Sequence, residues 1–414
     1  MSDQPFISPT DTSSSPSIIK VIGVGGGGGN AVANMYRENI SGVRFLVCNT
    51  DSKALQDSPV PDRLQIGPGL GVGGDPELGR KLTTENIEAV QSMLDDSTKM
   101  LFITAGMGGG TGTGAAPIFA QEAMKKGILT IGIVTIPFLF EQKVRINKAL
   151  DGVDSMAQEV DALIIVNNER LREIYPDLSL LNAFRKADNT LTNAVRSILE
   201  IVHMRGISNL DFTDVDTCLR GGKVAIISSG TGSGDNRIKN AIEDALNSPL
   251  LNDRDIFRSR SLRMAIFFPP DATGNSMRVE EIEEIAKFMK QFQKDVDTKY
   301  GYAEDPSLTD TIRVTILASG FQKSFAADEE NGIHHPTPEE EAMERQRERR
   351  IETIYGGKNT KTRHHRTYIF KNNDLYNEEL VAQIEAMPVC KRSDGDLKRL
   401  QDISNADIPF EIIL

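Results

Sequence analysis

The chain is poor in the residues that staple or ligate. Its 414 residues include three cysteines, Cys48, Cys218 and Cys390. An odd count with no CxxC pair offers neither a disulfide framework nor a zinc signature, and reads as reduced thiols in a cytosolic protein. Basic charge is not in excess. With 47 Lys and Arg against 59 Asp and Glu, the net charge is −12, which argues against nucleic-acid binding as the main task. No run approaches the roughly 18 apolar residues of a membrane span. Residues 1–17 are rich in Ser, Pro and Asp without an apolar centre, so they read as a disordered leader and not a signal peptide. No internal repeat is apparent, which disfavours solenoids. No GxxxxGK[ST] run occurs, which sets a P-loop aside. The five histidines include the pairs His334-His335 and His364-His365. No Cys or carboxylate spacing completes a cage around them, and His203 reads as a helix-surface residue.

Glycine is what the chain has in concentration, in two runs: Gly25-Gly26-Gly27-Gly28-Gly29-Asn30 and Gly106-Met107-Gly108-Gly109-Gly110-Thr111-Gly112-Thr113-Gly114. Each follows an apolar strand-like run (Ile18–Val24, Met100–Ala105) and precedes a helix-like one. Glycine lets backbone N–H groups approach a ligand closely, and a helix N-terminus adds partial positive charge. Two such runs suggest a phosphate chain held from two sides. In the second, glycines alternate with Thr111 and Thr113, a backbone nest with two hydroxyls as extra donors. Gly23-x-Gly25-x-x-Gly28 followed by Asp51 also matches the dinucleotide fingerprint, but an oxidoreductase reading leaves the second run unexplained.

Strand-like and helix-like runs alternate from Ser17 onward. Further strands are predicted at Phe45–Val47, Ile128–Ile136 and Ala162–Val166, and helices at Ala31–Asn39, Pro76–Leu94, Ala115–Lys126 and Lys143–Glu159. This is the pattern of a parallel sheet covered on both faces, with Pro117 in the first turn of its helix. Leu181–Arg205 carries apolar residues at spacings of three and four and predicts one long helix, stopped at Gly206. A second α/β domain is expected over 222–321, with strands at Val224–Ser229, Leu262–Phe268 and Ile312–Ala318 and helices at Asn236–Leu246 and Val279–Lys294. The charged stretch 322–377 reads as a linker, and 378–414 regains apolar clusters like a peptide that docks on a partner.

Several motifs occur in one order: Val21 through Val32, Asn49-Thr50-Asp51, Gly106 through Pro117, Pro137-Phe138-x-Phe140-Glu141-x-Lys143-x-Arg145, Asn209 through Val215, Ser248 through Leu251, and Arg313-Val314-Thr315. In these the chain resembles the FtsZ family of cell-division GTPases, within the tubulin superfamily, from about Ile18 to Phe321. The resemblance implies a GTP-binding domain over 18–180, a central helix over 181–205, a catalytic loop and following helix over 206–221, and the second domain. It implies GTP/GDP and Mg²⁺ as ligands and head-to-tail self-assembly. It also implies a cytoplasmic place at the division site, and a membrane tether and regulators bound through the tail.

Residue roles follow from the same resemblance. Gly25, Gly26, Gly27, Gly28, Gly29 and Asn30 cradle phosphates and reach the base. Gly108, Gly109, Gly110, Thr111, Gly112 and Thr113 hold the β- and γ-phosphates. Gly73 and Gly74 belong to the loop that senses the γ-phosphate, where Val72 and Asp75 replace the family's usual Ala and Asn. Glu141 and Arg145 contact sugar and phosphate. Asn168, Phe184 and Asp188 are the base candidates; a carboxylate accepts from guanine N1–H and N2–H₂ together. Asp211 and Asp214, at i and i+3 of a helix start, read as N-capping residues or as the pair that orients a water or a cation toward the γ-phosphate of the neighbouring subunit, supported by Asn209. In the tail, Asp407-Ile408-Pro409-Phe410 and Ala386 through Arg392 are both candidates for partner binding.

Overall fold

The computed structural model describes residues 18–321 apart from 96, 176, 178, 249–255 and 293–295. The expectations for 1–17, 322–377 and 378–414 lie outside the described residues, as does most of the Ser248–Leu251 motif. The first half runs β1 (Ile19–Val24), α1 (Gly25–Arg37), β2 (Arg44–Asn49), α2 (Ser52–Gln56), β3 (Asp62–Gln65), α3 (Pro76–Glu85), α4 (Ile87–Met93), β4 (Met100–Gly106), α5 (Thr111–Lys125), β5 (Leu129–Ile136), α6 (Lys143–Gln158), β6 (Ala162–Asn167) and α7 (Asn168–Ile174). The second runs α8 (Leu180–Val202), α9 (Phe212–Leu219), β7 (Lys223–Gly232), α10 (Arg237–Leu246), β8 (Ser261–Phe268), α11 (Ile282–Met289), β9 (Asp297–Glu304) and β10 (Ile312–Ser319).

The strand order is β3-β2-β1-β4-β5-β6-β7-β10-β8-β9. Strands β1 to β6 pair in parallel throughout, and β1 and β6 are buried at every position. A strand covered on both faces must be apolar at consecutive residues, which is why these read as unbroken apolar runs. Alternate residues of β1 serve two cores. Ile19 and Val21 face one with α1 and α8; Ile22 and Val24 face the other with α5 and α6. From β6 the sheet continues into β7 through two parallel register pairs only, Ala162 with Lys223 and Leu163 with Val224. Beyond it, β10 runs antiparallel to both β7 and β8. Helix α8 spans this seam: Leu191, Val195 and Ile198 share a core with Ile133 and Ile164 on one side and with Ile227, Phe267 and Leu317 on the other.

Several boundaries differ from the sequence reading. Helix α5 begins at Thr111, so Pro117 lies inside it, not in a first turn. Residues Gly25–Gly29 and Thr111–Gly114 are the opening turns of α1 and α5, not loops preceding them. Pro76–Leu94 breaks at Asn86 into α3 and α4. Helix α8 ends at Val202. Gly206 is not its cap: a Cβ there would lie 2.0 Å from the Tyr302 carbonyl oxygen, so glycine admits β9 against the loop.

Candidate functional site

The N-termini of α1 and α5 emerge side by side, because β1 and β4 are paired neighbours. Their partial positive ends converge at the carboxyl edge of the parallel sheet, where such sheets hold phosphates. Gly25 makes the turn at φ +71°, and a Cβ on it would lie 2.7 Å from the Gly112 nitrogen. Most of the glycines serve packing. A Cβ on Gly28 would meet the Thr104 oxygen at 2.1 Å, and one on Gly114 the Pro76 oxygen at 2.0 Å. Gly26 and Gly29 differ: nothing lies within 4 Å of a Cβ there. Both line a cavity of about 570 Å³ that also meets Gly25, Asn30 and Asp188.

The second phosphate run is shaped by its own side chains. Thr113 is buried, and its hydroxyl oxygen accepts from Gly108 N–H at 2.9 Å. It holds the turn at Gly108, where φ is +93°. Thr111 Oγ1 pairs with Thr50 Oγ1 at 2.7 Å. Accepting from Gly108 leaves the Thr113 O–H free to donate into the nest, whereas Thr111 shares one hydroxyl proton with Thr50. The γ-phosphate-sensing segment lies against this run. Val72 is buried, and a Cβ on Gly110 would lie 2.3 Å from its Cγ2. Asp75 caps α3, accepting from Glu77 N–H at 2.9 Å, so its charge answers the helix end. Gly73 and Gly74 sit in left-handed turns, and Lys148 Nζ donates to the Gly74 carbonyl at 2.8 Å. Arg145 pairs with Glu141 at 3.2 Å, and its backbone and stem border Gly108. Glu141 also accepts from Phe138 N–H.

At the base end, Phe184 is 40% exposed and meets Phe138 edge-on at 5.3 Å. Two polar groups stand open. Asn168 Oδ1 is buried with no hydrogen-bond partner among the described residues. Among the described residues no cation is paired with Asp188, and burial pushes its carboxyl up to about 7. An orphaned acceptor, an unpaired carboxylate in a cavity wall and two open glycines fit a nucleotide whose base presents donors. Asn168, Phe184, Glu141, Arg145 and Gly108–Gly110 are not among the cavity's lining residues, which include Arg185 and Asn189 instead. The sequence reading missed these two, although Arg185, Asp188 and Asn189 share one helix face at i, i+3 and i+4.

Asp211 and Asp214 form a reciprocal capping box. Asp211 Oδ1 accepts from Asp214 N–H and Asp214 Oδ2 from Asp211 N–H, each at 3.0 Å. Asn209 Oδ1 accepts from Gly206 N–H at 2.7 Å, closing the loop. Helix α9 leads into Gly221, whose N–H reaches Asp161 just before β6, and into Lys223, paired with the first residue of β6. That is the amino edge of the parallel sheet, whereas both phosphate runs stand at the carboxyl edge. Among the described residues no three His, Cys, Asp or Glu side chains gather as a metal cage. No helix among them is long and apolar enough to cross a membrane.

Converging helix ends over a parallel sheet, beside a cavity walled by glycines and Asp188, define a nucleotide-binding α/β protein. Residues 18–176 match the GTPase domain of the Tubulin/FtsZ family, residues 223–322 the FtsZ family C-terminal domain, and residues 362–407 a further FtsZ C-terminal model. The cell division protein FtsZ of Porphyromonas gingivalis is 45% identical over 406 residues, covering 94% of this chain and 88% of that protein. The FtsZ of Pseudomonas aeruginosa is 42% identical over 75% of this chain and 79% of its own length. Among solved structures, an FtsZ dimer of M. jannaschii superposes with a TM-score of 0.67 at 34% identity, covering 77% of this chain and 95% of that one. The chain belongs to the FtsZ family, and it is a GTPase.

Proposed function

We propose that the chain binds GTP with its phosphates on the α1 and α5 N-termini and guanine against Asp188, Asn168 and Phe184, and that it hydrolyses GTP only between two copies assembled head to tail. The placement of Asp211 and Asp214 carries this reading: they belong to the amino edge of the sheet that holds phosphates at its carboxyl edge, so they serve the next copy's nucleotide. Water attacks the γ-phosphorus, the bond to the β-phosphate oxygen breaks, GDP leaves with the electron pair, and the water's proton passes to an oxygen of the released phosphate. The carboxylates orient the water; Arg145 and the helix ends balance charge on the phosphates. Catalysis is then positioning plus electrostatics. A Mg²⁺ accompanying GTP would take its ligands chiefly from the phosphates and would neutralise their charge.

Its relatives are named cell division proteins, and we place these polymers in the division ring on the cytoplasmic side. The tail 378–414 would recruit a membrane tether and regulators. The test mixes two defective subunits. Asp214→Ala keeps its phosphate site and should form filaments that turn over slowly. Gly26→Leu fills the cavity and should lose GTP. A mixture should recover phosphate release that neither shows alone; full turnover by Asp214→Ala alone defeats the shared site.

A further inference from the structure

Asp214 is held by more than its own helix. Lys299, projecting from edge strand β9, places Nζ at 2.7 Å from both Oδ1 and Oδ2. Oδ2 also accepts from Asp211 N–H. A carboxylate offers about four acceptor directions; three are engaged here, and the one left belongs to Oδ1. The Asp214 side chain is only 14% exposed. The Lys299 side chain is 48% exposed, so what holds the geometry is the contact of Nζ with both oxygens of a largely buried carboxylate and not burial of the pair.

We infer that Lys299 is a positioning residue for hydrolysis: it fixes the Asp214 carboxylate so that Oδ1 alone is presented to the attacking water. This rests on the shared-site reading above. The charge balance supports it. Asp211 and Asp214 together bring two negative charges toward a triphosphate, and repulsion between them would turn the pair away. Lys299 offsets one charge at contact distance. Arg263 on β8 also lowers the Asp214 carboxyl, but it is committed to Asp297 at 2.7 Å, so among the described residues Lys299 is the cation bonded to Asp214. Because Lys299 comes from the second sheet and Asp214 from α9, the clamp also makes the carboxylate's position depend on how β9 sits against the 206–211 loop. That junction is tight: Tyr302 and Ser208 exchange backbone bonds.

The test is a double-mutant cycle on the full chain, reading GTP turnover and sedimentable polymer separately. Lys299→Met should still sediment with GTP at the wild-type threshold and bind GTP with unchanged affinity, while turnover per assembled subunit falls about 10- to 100-fold, the cost of a misplaced reacting group. Lys299→Arg should recover most of that loss. In an Asp214→Ala background, Lys299→Met should cost nothing further, because its only route is through that carboxylate. Wild-type turnover by Lys299→Met filaments, or additive losses in the double mutant, overturns the inference while leaving the shared site intact. Failure of both Lys299→Met and Lys299→Gln to sediment also overturns it, by making Lys299 an assembly contact. Full turnover by Asp214→Ala defeats the shared-site reading itself.

Discussion

With guanine against Asp188, as proposed, a single residue couples base recognition to pH. Burial raises its carboxyl to about 7, so near neutrality the ligand-free protein holds a mixture of acid and carboxylate. Guanine N1–H and N2–H₂ need the carboxylate. Its bound form is therefore shifted below the free form, and binding releases a proton wherever the free group is protonated. GTP affinity should be level above about pH 7.5 and weaken toward tenfold per pH unit below about 6.5. Titration calorimetry in buffers of different ionisation enthalpy would show the proton release. Asp188→Asn should flatten the profile and lose guanine preference, at about 1–3 kcal/mol; a pH-dependent mutant would place the base elsewhere. Asp188 was legible because it sits one turn from an aromatic residue on an amphipathic helix. Lys299 was not: it lies 85 residues from Asp214, on an edge strand whose Asp-Thr-Lys-Tyr pattern gives no apolar alternation. Asp211 and Asp214 were legible as a pair, and the structure shows them capping α9; the water-orienting role remains the proposal.

At the scale of elements, the glycine runs divide into residues that let helices approach and residues that leave room for a ligand. The sequence singled out both glycine runs but could not divide them, because the division depends on which backbone lies opposite. A methyl on Gly114 would lie 2.0 Å from the Pro76 oxygen, where α3 crosses α5, whereas one on Gly26 meets nothing. Gly114→Ala should lower stability by about 1–3 kcal/mol through overpacking. Gly26→Ala should raise the stability of the ligand-free protein by about 0.5–1 kcal/mol, as alanine does in a helix. It should also weaken GTP binding at least tenfold, about 1.4 kcal/mol. Urea melts with and without GTP would separate the two, and tight GTP binding by Gly26→Ala would move the phosphates off α1. The same locality explains the elements that were missed. Strand β3 is four residues, Asp-Arg-Leu-Gln, too short and polar for a period. Helix α5 was started late because Thr-Gly-Thr-Gly has poor helix propensity; packing on β4 and α3 overrides it.

At the scale of the whole molecule, the parallel sheet and the mixed sheet touch through two register pairs and are joined mainly by α8, whose 23 residues extend about 34 Å. The sequence showed that helix by its period, and with it the order of the two sheets. A site shared between copies, as proposed, leaves no trace in one chain's periodicity beyond a remote carboxylate pair. If one copy's α9 completes another's nucleotide site, the active species is a contact and not a chain. Phosphate release per subunit should then be near zero at low protein concentration, rise steeply through an assembly threshold, and level off above it. All the residues assigned to the site lie within 18–321, so a chain ending at Phe321 should follow the same curve while losing whatever binds 378–414. Turnover and sedimentation measured across one dilution series, for both lengths of chain, would check this. Turnover per subunit that stays flat on dilution would mean that one copy suffices, and the carboxylates that activate the water would then have to be sought beside Gly108–Gly110 rather than on α9.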